Sequence, residues 1–171
     1  MLPFVLRFTF IVCLIVGITS PVRAFESAAD YALVMDAETG VVLFEKNADA
    51  PMSPASMSKL MTVLMVFEAL RDGVVEPDTK FRVSDDAWRR GGSASGGSTM
   101  FLNARSKVSV LDLLRGVVVQ SGNDACIALA EGLAGSEDIF AELMTERAIE
   151  LGLKNSSFAN ATGLPDPSHK M

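Results

Sequence analysis

Apolar and polar positions change period several times along the chain, and each change predicts an element. Tyr31 to Met35 and Val41 to Phe44 are short apolar runs with β-branched residues, separated by Asp36-Ala37-Glu38-Thr39-Gly40. They predict a β-hairpin with a glycine-containing loop. From Pro54 the residues Met57, Leu60, Met61, Leu64, Met65, Phe67 and Leu70 recur at helical spacing until Asp72-Gly73. This helix is apolar nearly all round, which predicts burial at the centre of a domain, with its methionines as core filler. The stretch Trp88 to Met100, with Arg89-Arg90-Gly91-Gly92-Ser93-Ala94-Ser95-Gly96-Gly97-Ser98 inside it, shows no apolar period and predicts a mobile surface loop at the rim of a cleft.

Three further helices follow. Ser109 is placed to cap a helix over Val110 to Val118, with Asp112 at the capping-box position. Asp124 to Leu133 is alanine-rich, with Ile127, Leu129 and Ala130 available for packing. A last helix from Ser136 to Leu151 ends at Gly152, a C′ glycine. Nothing repeats internally, and no linker divides the chain.

Composition modifies this picture mainly at the N-terminus. Arg7 precedes the uncharged apolar stretch Phe8 to Ile18, then Thr19-Ser20-Pro21 and the small-residue ending Val22-Arg23-Ala24. This is the pattern of a secretory signal peptide cleaved after Ala24, and it is too short to span roughly 30 Å of hydrocarbon. Residues 1–24 are therefore expected to be an export signal and residues 25–171 the mature part. The chain carries 15 Lys and Arg against 21 Asp and Glu, and the leader holds two of the arginines and none of the acids. An acidic domain of this kind lacks the basic footprint that nucleic-acid binding needs. With Cys13 in the leader, Cys126 is the one cysteine left, so no internal disulfide is expected.

Candidate chemistry begins at Ser56-Met57-Ser58-Lys59. Positions i and i+3 share a helix face, so the Ser56 hydroxyl and the Lys59 amine can meet while Ser58 points elsewhere. A serine hydroxyl needs a base to become a nucleophile, and a lysine serves as base when burial and the positive helix end push its pKa down. The helix start also offers free backbone N–H groups, that of Ser56 included, as one arm of an oxyanion hole. Ser-x-x-Lys alone is weak, since a chain of this length contains it about once by chance. Ser121-Gly122-Asn123, between two predicted helices, adds a hydroxyl and an amide, although the same residues also make ordinary turns and caps.

These stretches together resemble a known family. Pro54-Ala55-Ser56-Met57-Ser58-Lys59-Leu60-Met61-Thr62, Gly97-Ser98-Thr99-Met100-Phe101-Leu102, Ser121-Gly122-Asn123-Asp124-Ala125, and Leu151-Gly152-Leu153 leading to Phe158-Ala159-Asn160 and Gly163-Leu164 follow one another in order. The chain from about Ala32 onward is similar to the low-molecular-mass penicillin-binding proteins that act as serine-type D-alanyl-D-alanine carboxypeptidases. The resemblance implies an α/β (α+β sandwich) fold of the β-lactamase and transpeptidase type, with an antiparallel sheet and a helical subdomain. It implies Ser56 as nucleophile, Lys59 as general base, Ser121 as a second hydroxyl relaying a proton, and Asn123 orienting substrate or Lys59. The implied substrate is a peptidoglycan stem pentapeptide, with β-lactams as covalent inhibitors and no metal or other cofactor. The implied location is the periplasm or the outer face of the cytoplasmic membrane, with membrane association through a C-terminal segment outside this chain.

The family's Lys-Thr-Gly element has no counterpart: the lysines precede Asn47, Leu60, Phe81, Val108, Asn155 and Met171. Only the opening hairpin supplies clear strands, so the sequence is expected to be an N-terminal fragment of a longer protein. Thr145 stands where the family favours Asn. A β-lactamase would need a Glu-x-x-Leu-Asn element, and the nearest match, Glu150-Leu151-Gly152-Leu153, continues with Lys154. A Ser-His-Asp hydrolase has only His169 to draw on, which reads as a polar loop residue, and one His with one Cys makes a poor zinc site. A non-catalytic exported peptidoglycan-binding fragment is the reading outside enzymes. Retention of Ser56, Lys59, Ser121 and Asn123 together favours the peptidase.

Overall fold

The computed structural model describes residues 25–171, so the expected export signal lies outside the described residues. The chain divides into two units, the first ending at Ala50 and the second running from Pro51 to Met171.

In the first unit β1 (Ala32–Met35) pairs antiparallel with β2 (Val42–Lys46), as the apolar runs predict. Ala32 faces Lys46 and Val34 faces Phe44, and the register slips between Val34 and Met35. The Asp36 side chain holds the connection: its Oδ1 accepts from the Thr39 backbone N–H at 2.7 Å and from its hydroxyl at 2.6 Å. Gly40 supplies the left-handed residue this turn needs, with φ of +70°.

The second unit is built around α3 (Asn123–Ala134), whose residues Asn123 to Ala130 are all buried. Around it pack α1 (Lys59–Arg71), α2 (Val110–Gln120) and α4 (Glu137–Glu150). A second strand pair, β3 (Lys80–Arg82) with β4 (Lys107–Ser109), is antiparallel and was not legible from the apolar pattern. The Ser109 cap and the Gly152 stop are those predicted, while Ser136, expected as the first helical residue, is the N-cap of α4. Ser109 Oγ accepts from Asp112 N at 3.2 Å, Ser136 Oγ accepts from Ile139 N at 3.2 Å, and Gly152 follows the last helix with φ of +88°. Arg147 on α4 makes two hydrogen bonds to the Glu68 carboxylate on α1, at 2.7 and 3.1 Å, and fixes how those helices meet.

Two expectations need correction. The first turn of the Pro54 helix is a separate 3₁₀ turn, Ala55–Ser58, and α1 is buried along one face only: Met61, Thr62 and Val66 are inside while Leu60 is 74% and Phe67 55% exposed. Helices α2, α3 and α4 cover the inward face and leave the opposite one open. Residues 88–100 are also more ordered than their composition suggests. Ala87–Gly91 form a π turn and Ser93–Ser95 a 3₁₀ turn. Gly91 lies so close to Asp124 that a Cβ there would overlap its backbone nitrogen, so this turn is packed directly on the start of α3. No helix among the described residues is long and apolar enough to cross a membrane.

Candidate active site

The 3₁₀ turn at Ala55–Ser58 holds Ser56 at the surface and Lys59 inside. Ala55 enters the turn in the left-handed region, φ +47°, a strained conformation for a residue with a Cβ. Lys59 Nζ lies 3.0 Å from Ser56 Oγ, as the i, i+3 spacing predicts, and donates to the Thr162 carbonyl at 2.8 Å. No carboxylate pairs with it among the described residues. Burial pushes the Lys59 pKa down, and the nearby Cys126 opposes this weakly. Burial likewise drives the Cys126 thiol up to about 12, so it stays protonated and supplies no counter-charge at neutral pH. An amine held this way is suited to accept the Ser56 proton. The Ser56 backbone N–H takes no backbone partner among the described residues, which leaves it free to stabilise an oxyanion.

The carbonyl that receives Lys59 belongs to a tight loop whose flanking residues Asn160 and Gly163 carried part of the resemblance without being given a role. Asn160 Oδ1 accepts from Thr162 N, Thr162 Oγ1 and Gly163 N at 3.1, 2.9 and 2.7 Å. Ala161 donates its N–H to Glu137 Oε1 at 3.0 Å, and its carbonyl accepts from Thr62 Oγ1 at 2.7 Å. Glu137 in turn pairs with Arg90, which also binds Asp86 at 2.7 Å. The loop is thus fastened to α1, to α4 and to the π turn.

Ser121 and Asn123 sit at the junction of α2 and α3. Ser121 adopts the left-handed conformation, φ +54°, and is half-buried. Asn123 donates its backbone N–H to Ser98 O at 2.9 Å, and its side chain lies beside Gly97. Neither side chain is hydrogen-bonded to Ser56 or Lys59, so the structure joins the first pair directly and places Ser121 at the end of α2 and Asn123 at the start of α3, the helix that carries Cys126. The neighbouring Asp124 organises this junction. Fully buried, its carboxylate accepts from Thr99 Oγ1 at 2.7 Å and from the N–H groups of Met100, Leu102 and Ala125 at 3.0 Å each. A carboxylate within an otherwise apolar helix stretch was the available signal. Asp124→Ala is expected to strand four donors and lower unfolding free energy by about 3 kcal/mol or more. Urea denaturation of the variant measures this.

His169 departs most from expectation. It is buried at 3% exposure, with Nε2 2.7 Å from Ser58 Oγ and its ring edge-on to Phe158 at 5.4 Å. The pair cannot serve as a Ser-His nucleophile, because Ser58 is wholly buried and His169 Nδ1 has no orienting partner.

Comparison with known proteins bears on the family and the fold. Residues 18–171 match the S11 peptidase family, described as D-alanyl-D-alanine carboxypeptidase. The chain is 42% identical over 141 residues to D-alanyl-D-alanine carboxypeptidase DacF of Bacillus subtilis (strain 168), covering 82% of this chain and 35% of that protein. It is 46% identical over 136 residues to DacC of Escherichia coli (strain K12), covering 79% and 34%. The chain therefore spans about a third of the length of these relatives. Among solved structures, penicillin binding protein 5 from Haemophilus influenzae superposes with a TM-score of 0.81 at 38% identity, over 87% of this chain and 43% of that one. The mixed helix and antiparallel-strand fold is thus the one expected, and the chain belongs to the S11 family of D-alanyl-D-alanine carboxypeptidases.

Proposed function

We propose that residues 25–171 supply part of the catalytic domain of a serine-type D-Ala-D-Ala carboxypeptidase, with residues 1–24 as its export signal. The observation that carries this reading is the buried Lys59 amine, without a counter-ion among the described residues, 3.0 Å from an exposed Ser56 hydroxyl. Lys59, in its neutral form, takes the Ser56 proton as Oγ attacks the carbonyl between the two terminal D-alanines of a peptidoglycan stem peptide. Backbone N–H groups, that of Ser56 among them, hold the oxyanion. The C–N bond breaks, terminal D-Ala leaves with a proton relayed through Ser121, and water then hydrolyses the Ser56 ester. Asn123, whose side chain takes no protein partner among the described residues, orients the substrate. A β-lactam enters the same path and stops at the ester, which makes the site penicillin-sensitive. The protein works outside the cytoplasmic membrane, where stem peptides are found.

Fluorescent penicillin tests this. The full-length protein is expected to form a covalent adduct that Ser56→Ala abolishes, and to release bound penicillin slowly while trimming a diacyl-D-Ala-D-Ala peptide. Rapid penicillin turnover would assign a β-lactamase instead. Absence of any adduct in folded protein would assign a binding role.

A further inference from the structure

We infer that Ser58 and His169 form a buried latch that positions Lys59 for the acylation step, a role that rests on the reading of Ser56 and Lys59 above. Neither residue can touch substrate, since Ser58 is 0% and His169 3% exposed. Their side chains nevertheless meet at 2.7 Å across 111 residues of sequence. Ser58 immediately precedes Lys59 and closes the turn that presents Ser56. His169 immediately precedes Lys170 and Met171, which pair through their backbones with Ser157 and Met52 respectively. The latch therefore clamps the nucleophile turn to the chain segment whose Thr162 carbonyl receives the Lys59 amine.

The Ser58 hydroxyl and the His169 ring have only each other among the described residues: Ser58 Oγ makes no other hydrogen bond, and His169 Nδ1 is buried without a partner. Burial lowers the His169 pKa, opposed by Asp166, which favours the neutral ring near neutral pH. An apolar pair would fill the same space without a stranded nitrogen, so stability alone gives no reason for this one. What the hydrogen bond adds is direction: it allows one register of the Ala55–Ser58 turn against the 160–163 loop, and thereby one placement of Nζ between Ser56 Oγ and Thr162 O.

The test compares acylation of full-length wild type, Ser58→Ala, His169→Gln and Ser58→Thr by a chromogenic β-lactam, counted per folded molecule. Loss of the latch is expected to lower the limiting acylation rate about tenfold or more, with dissociation of the pre-covalent complex unchanged. Ser58→Thr keeps the hydroxyl and should restore the rate. In wild type, the imidazole ¹⁵N signals that His169→Gln removes should be those of a neutral ring, and they should move when Ser56 is acylated. Unchanged limiting rates in Ser58→Ala and His169→Gln would overturn the latch. Wild-type protein that forms no adduct would instead overturn the underlying reading of Ser56.

Discussion

Lys59→Met is expected to lower the acylation rate by about 10²–10⁴-fold, the usual contribution of a positioned general base, without lowering the unfolding midpoint. The two halves of this expectation come from one fact. Burial depresses the Lys59 pKa below its ordinary value, so the unfolded chain binds this proton more tightly than the folded one. Keeping this desolvated amine inside the protein therefore costs stability below the ordinary lysine range; the cost grows as pH falls from the ordinary value to the depressed one and is constant below that. Methionine has similar length and no charge to desolvate, which offsets the lost bonds to Ser56 and Thr162. In wild type, acylation should rise with pH as the ammonium deprotonates, with its midpoint below the ordinary lysine value. The pH dependence of penicillin labelling in wild type, and thermal denaturation of both proteins, check the two halves separately.

Gly163→Ala should be the most damaging single methyl group in the second unit. Gly163 has φ of +80°, and a Cβ there would overlap the Ala55 carbonyl while standing 3.1 Å from Ser58 Oγ. The Ala55 carbonyl is backbone and cannot rotate away, so the 160–163 loop must lift and withdraw the Thr162 carbonyl from Lys59. Left-handed strain and overpacking together are expected to cost about 3–5 kcal/mol, with penicillin labelling lost as well. Gly152→Ala is the control. Its φ of +88° is similar, but nothing lies within 4 Å of the added methyl, so only the conformational cost of about 1 kcal/mol applies. Chemical denaturation of the two variants side by side separates crowding from backbone preference.

The elements that the sequence revealed are those governed by local rules. The Asp36 to Gly40 turn, the Ser109 cap and the stop at Gly152 each depend on residues within a few positions of one another. The Ser56 and Lys59 pair was legible for the same reason, being one helical turn apart. What escaped is set by distant contacts. His169 looks like a polar residue in a proline-flanked loop until Ser58 and Phe158 enclose it. The 88–100 stretch lacks an apolar period because backbone donors meeting the Asp124 carboxylate, and Gly91 packed on α3, hold it in place. The exposure of Leu60 and Phe67 was equally hidden, because periodicity tells which faces are apolar and not which of them acquire a neighbour.

The contacts around Lys59 also bear on when the site comes into being. Lys59 reaches Thr162 across 103 residues, Thr62 reaches Ala161 across 99, and Ser58 reaches His169 across 111. Residues 55–59 leave the ribosome roughly 5 to 20 s before these partners, at ordinary rates of synthesis. Until then Lys59 is a solvated, protonated amine and Ser56 an unreactive alcohol. Closing loops of this length is an entropic cost met only when the rest of the unit is in place, so these contacts belong to the late part of folding. On the proposed reading of Ser56 and Lys59, the nucleophile is thereby switched on by completion of the fold, and a nascent chain carries no reactive serine.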